Sequence, residues 1–204
     1  MIDRMIGAAR LNPRVYEEVE ADVSATSQAA LVVTLVGLLG GLGSAVGLIL
    51  FRADVLSTLP GGSLVGPVVV ILGQILTALL GWGIWALVTY VVGTSIFEGT
   101  ADWGELLRAL GFAQSPGILG VLKFLTFAEP SGLFGLLACI RFLGLLIGAL
   151  VGLWMLLASL IGVRQALDFS TRKAVLTILI GWIIRIVLDV FVTFGNAGLF
   201  GLFG

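Results

Sequence analysis

The chain has no histidine. Imidazole acid–base catalysis, serine–histidine dyads and histidine metal sites are therefore excluded. Its single cysteine, Cys139, permits no disulfide within the chain and reads as a small apolar packing residue. Charge is scarce as well. Asp, Glu, Lys and Arg make up 11% of the residues, where a soluble domain carries about 25%. The net charge of −1 supplies no basic face for nucleic acid. Neither HExxH nor GxxxxGK[ST] occurs, so the sequence supports no zinc-protease or phosphate-loop chemistry. No catalytic, cofactor-binding or metal-ligating residue is assigned, and an enzyme is not expected.

Apolar residues fill the space that charge leaves. Residues 27–51 contain no charged side chain, and neither do residues 67–97. A bilayer core about 30 Å thick is crossed by roughly 20 apolar helical residues. Only helices and closed barrels satisfy their backbone polar groups in lipid. These blocks are continuously apolar rather than alternating, so helices are expected. The fold class expected is an all-α integral membrane protein, a bundle of five transmembrane helices with amphipathic interfacial helices at the N-terminus and between spans. The spans fall at 27–51, 67–97, 111–128, 142–163 and 174–194. The third is the shortest and carries Pro116 and Lys123. Residues 52–67, rich in Gly, Pro and Ser, read as a loop. In 98–110, Trp103, Leu106, Leu107 and Leu110 mark an apolar stripe lying along the interface.

Three regions follow. Residues 1–26 form an interfacial segment, 27–194 a single five-helix domain, and 195–204 an uncharged tail resting at the interface. The N-terminus has charges where a signal peptide would have its apolar stretch. Ile2, Met5, Ile6 and Ala9 lie at the spacing of one helical face. Asn12 and Pro13 then suit the N-cap and first position of a second helix. Together these make an amphipathic foot in the headgroup layer. Five spans place Arg4, Arg10, Arg14, Arg108, Arg164, Arg172 and Lys173 on one side, opposite Arg52 and Lys123. The positive-inside rule then sets the N-terminus in the cytoplasm and the C-terminus outside.

Two features inside the spans invite a role. Gly144, Gly148 and Gly152 sit four apart, and Gly37 and Gly41 repeat the pattern in the first span. Small residues on one stripe let helices approach closely where lipid gives no hydrophobic drive. The stripes serve packing within the chain or between copies. Arg185 and Asp189, also four apart, share a face of the fifth span. Charge at that depth is costly enough to face the bundle or a wet cavity. The two form either a self-neutralising pair or part of a polar route with Gln74 and Gln114.

At RALGFAQSPG, Gly111, Phe112 and Pro116 spell G-F-x-x-x-P. This resembles the G-[YF]-x-x-x-P element of the Yip domain family, the Ypt/Rab-interacting proteins. LNPRVYEEVEAD looks like the lead-in segment of bacterial members, and Trp154 with IGVRQALDFSTRKA like their connection between fourth and fifth spans. The resemblance covers nearly the whole chain. It implies five spans, a cytoplasmic N-terminus, and Gly111, Phe112 and Pro116 as architectural residues. Eukaryotic members bind Rab-type GTPases through a long cytosolic N-terminus with an aspartate-leucine-tyrosine-glycine-proline motif. This chain has neither, so a GTPase partner is not carried over. The short N-terminus looks like that of a prokaryotic member in the inner membrane. The expected function is non-enzymatic: membrane organisation or partner assembly. The expected partners are the bilayer, a second copy or another membrane protein. The alternative is a small transporter or channel using the polar path near Arg185 and Asp189, and a third possibility is lipid handling.

Overall fold

The computed structural model describes residues 1–128 and 136–184. The described elements are all helical. Two short helices, α1 (Ile2–Ala9) and α2 (Pro13–Ala21), precede the long α3 (Ala25–Phe51). Then come α4 (Ala53–Thr58), the 36-residue α5 (Gly62–Phe97) and α6 (Trp103–Phe112). A 3-10 helix (Ser115–Phe127), α7 (Leu136–Ala166) and α8, helical over 171–184, complete the order.

Among the described residues, three helices are long and apolar enough to cross a membrane: α3, α5 and α7. At 1.5 Å per residue α5 and α7 run roughly 54 and 46 Å, so both overhang a 30 Å hydrocarbon layer. The third block is a broken element, α6 and the 3-10 helix bent by 47° at their junction. It still follows α3. A Cβ on Gly111 would lie 2.6 Å from the Ala29 Cβ, and one on Gly117 2.7 Å from Val36 Cγ1. Gly120 stands against Gly40, and Phe127 against Gly47. From Ala29 to Gly47 is ~27 Å along a helix axis.

Several boundaries differ from the sequence reading. The expected loop 52–67 holds α4, and α5 begins at Gly62, leaving Pro67 inside its second turn. Gly61 adopts φ +80°, the left-handed turn conformation that glycine reaches without a Cβ clash. The helix can therefore start ahead of the proline. The fourth span is longer than 142–163, beginning at Leu136 among the described residues. Of the fifth, residues 174–184 are helical, and 185–194 lie outside the described residues. So does the tail 195–204.

The buried core sits at one end of the bundle. Met5 and Ala8 of α1, Tyr16 and Val19 of α2, and Leu106, Leu110 and Phe112 of α6 meet there. The ends of α3, α5, α7 and α8 close around them through Ala29, Trp82, Ala158 and Ile178. The stripe on α6 is thus partly sunk into the protein, Leu106 and Leu110 being buried and Trp103 exposed. The foot divides likewise: Met5 faces the core, while Ile2 and Ile6 face outward.

A candidate intramembrane site above the elbow

The site begins with the end of α6. Asp102 and Glu105 form a capping box, each side chain accepting from the other residue's backbone N–H at 2.8 Å. This fixes the start of α6. Nine residues after Asp102, Gly111 lets α6 cross close to α3, and the Trp82 indole N–H donates to the Leu107 carbonyl at 3.0 Å. Phe112 is fully buried in the core.

The helix then has to break. Pro116 has no N–H to offer the Phe112 carbonyl four residues back. The Ser115 hydroxyl donates to that carbonyl instead, at 2.6 Å. Gly117 N–H donates to the Gln114 carbonyl at 2.8 Å, and the chain continues as a 3-10 helix. Runs longer than three or four residues in this conformation are uncommon, and here there are 13. Gly111, Phe112 and Pro116 thus build an elbow. Close approach, core anchor and helix break are assigned to them in turn.

Above the elbow lies a cavity of about 780 Å³ between α3, α5, the 3-10 helix and α7, with Trp182 of α8 on its wall. Gln74 and Gln114, the two amides singled out in the sequence, both line it. So do Thr77, Lys123, Thr126 and Ser159, beside Trp82, Trp85 and Met155. Glycine keeps it open: Gly37, Gly40, Gly81, Gly120, Gly148 and Gly152 contribute no side chains to fill it.

The small-residue stripes therefore divide. A Cβ on Gly37 would lie 2.8 Å from the Ile75 Cα, one on Gly41 2.8 Å from the Ile71 Cα, and one on Gly144 2.7 Å from the Leu125 Cβ. These three let helices meet. Among the described residues, nothing lies within 4 Å of a Cβ on Gly148 or Gly152. Of the stripe Gly144, Gly148 and Gly152, read as packing within the chain or between copies, Gly144 packs within the chain among the described residues. The 3-10 helix meets α7 at Gly144, through Leu125 and Thr126, and α3 through Gly40, Gly43 and Gly47. Arg185 and Asp189 lie outside the described residues.

Sequence reading missed two residues that hold the base below the elbow. Arg108, counted there only as a positive charge, is buried. Its Nε donates to the Glu20 carbonyl at 3.0 Å, its Nη2 donates to the same oxygen, and its Nη1 reaches the Thr26 hydroxyl at 3.4 Å. This ties the end of α2 and the start of α3 to α6. Glu20 itself has a buried carboxylate oxygen, Oε2, with no partner. Burial pushes its carboxyl up to about 7, helped by repulsion from Glu105, Asp168 and Glu17 and opposed by Arg108. The one sequence signal was position: Arg108 stands three residues before Gly111, one helical turn away.

A family model described as the Yip1 domain matches residues 10–192. No curated protein matches the chain, and no solved structure does.

Proposed function

The chain belongs to the Yip1 domain family, and from that premise we propose that it is a non-enzymatic multi-pass protein that organises the membrane through its base. One observation supports this reading: the foot is set deep beside α7. The Trp154 indole N–H donates to the Ala9 carbonyl at 2.7 Å, while Gln165 reaches Glu17 at 2.5 Å. Eleven residues separate those two points on α7, so α1 lies ~16 Å further along the helix than the polar contact. There it turns Met1, Ile2 and Ile6 outward. An amphipathic helix at the headgroup–acyl boundary expands one leaflet and not the other.

The accompanying topology has five passes. The path of 111–127 along α3 supplies the third, and the basic residues of the N-terminus and of 164–173 gather on the cytoplasmic side. Their sharing one end of the bundle agrees with the Glu17–Gln165 contact. Labelling cysteines placed at Ser170 and Ser63, in a chain carrying Cys139→Ser, tests it. Equal accessibility of both from one side overturns the topology.

The organising role is tested in reconstituted vesicles of fixed lipid composition. Wild-type protein is expected to reduce vesicle diameter as its density rises, and the pair Ile2→Ser, Ile6→Ser to lose that effect while eluting normally. Remodelling retained by the double variant removes the foot from the mechanism. Because Gln74 and Gln114 share one cavity, a transport route stands as a second reading. Ion flux into dye-loaded liposomes, lost in Gln74→Leu and Gln114→Leu, would be its sign.

A further inference from the structure

Lys123 points the wrong way for a lysine near a membrane surface. Its backbone lies between Val121, which meets Gly43, and Phe124, which meets Gly47. Gly47 is near the far end of α3. A snorkelling side chain would extend onward to the headgroups at that end. Instead the ammonium lies 3.4 Å from a Cβ on Gly40, about 7 Å back toward the middle of α3. It enters the cavity, whose described lining contains no acidic side chain. Among the described residues Lys123 makes no ion pair. A cation at such depth is expensive, and its usual justification is a counter-charge on a functional path.

We propose that the cavity binds a long-chain carboxylate, its head at Lys123 and its chain along the wall of Trp82, Trp85 and Met155. Three observations join here. The ammonium supplies the one formal charge on the described lining, and the Gln74 and Gln114 amides add donors for the second carboxylate oxygen. The cavity's 780 Å³ falls among ligand sites of ~300–1,000 Å³. Among the described residues its flank is open sideways: nothing stands against Gly148 or Gly152 of α7, and Leu76 and Leu80 of α5 face outward. A ligand can therefore arrive sideways from the bilayer. Chemistry selects carboxylate over phosphodiester. A carboxylic acid crosses hydrocarbon neutral and, on docking, gives its proton to water while the carboxylate faces the ammonium. A phosphodiester stays ionised and bears the whole desolvation cost.

The proposal is independent of the foot. Its test uses full-length protein in neutral-lipid nanodiscs with cis-parinaric acid, a fluorescent fatty acid that accepts energy from tryptophan. Trp82, Trp85 and Trp182 line the cavity and act as donors. Saturable transfer is expected with the acid and not with its methyl ester. Lys123→Met should weaken binding about tenfold, the loss of one charge-assisted contact, and Lys123→Arg should restore most of it. Gly148→Leu, which leaves Lys123 in place, should compete with the chain and also weaken binding. Equal binding of the ester, or wild-type affinity in both Lys123→Met and Gly148→Leu, overturns the proposal. Binding of a parinaroyl acidic phospholipid but not of the free acid overturns the choice of carboxylate.

Discussion

At the base, Leu106, Leu110 and Phe112 are almost wholly shielded, and an arginine is buried with three hydrogen bonds. Some 9–15 Å further along α7 from Ala158 (six to ten residues at 1.5 Å each), Gly148 and Gly152 meet nothing among the described residues and a cavity of about 780 Å³ stands open. The two regions use the same long helices. They differ in what lies across those helices. At the base α2 and α6 lay amphipathic faces over the long helices, and large side chains such as Tyr16, Leu106, Leu110 and Phe112 are buried there. Past the elbow, among the described residues, the helices are lined by glycines and a few polar and aromatic side chains, and leucines face outward. Burial is concentrated at the base, and open space past the elbow.

The sharpest way to break this contrast is at Phe112. Its removal to Ala should cost about 3–5 kcal/mol, the usual loss for a buried aromatic, read as a lowered unfolding midpoint in detergent. A loss under ~1 kcal/mol, below the usual cost of truncating a large buried side chain to Ala, would mean the base is not the stabilising region. Arg108→Met comes next, at roughly 2–3 kcal/mol, because it strands the Glu20 carbonyl in a buried place. Arg108→Lys should recover part of this, having a charge but no fork. Limited proteolysis between α2 and α3 should speed up alongside.

A smaller effect compares two glycines of one sequence pattern. Gly37→Leu meets the α5 backbone and should cost about 1–3 kcal/mol as overpacking. Gly148→Leu meets open space and should leave thermal stability within ~0.5 kcal/mol. Equal losses at both would show that Gly148 packs against another molecule.

The smallest effect concerns pH. Glu20, held near 7 when folded and near 4.5 when free, keeps its proton in the native state over a window where the unfolded chain has lost it. Its contribution is full below about 4.5, falls as pH rises to about 7, and is gone above. Glu20→Gln should flatten that slope and raise stability at pH 8 by roughly 1 kcal/mol, less than full linkage because the carboxyl is half solvated. A variant with an unchanged slope would assign the pH dependence elsewhere.

Much of the base was legible one residue at a time. Asn12 accepts from the Arg14 N–H as a cap, Pro13 opens α2, and Pro116 stands where the third block breaks. Each acts on its own backbone within a turn, so spacing alone reveals it. Arg108 was not legible as a clamp, because its acceptor lies 88 residues away. Nor was the direction of Lys123, which depends on where the 3-10 helix turns its face.

By itself, the sequence determined that the chain is a helical membrane protein. The transfer of each residue from water to lipid is a local quantity, and summing it along the chain needs no knowledge of neighbours. It also determined membership of the Yip1 domain family. Tertiary structure alone decided which glycines pack and which frame a cavity. Lipid is as apolar as the side chains it surrounds, so hydropathy cannot choose the partner of a membrane-facing surface. Shape does, and here it includes a 47° bend where α6 gives way to the 3-10 helix.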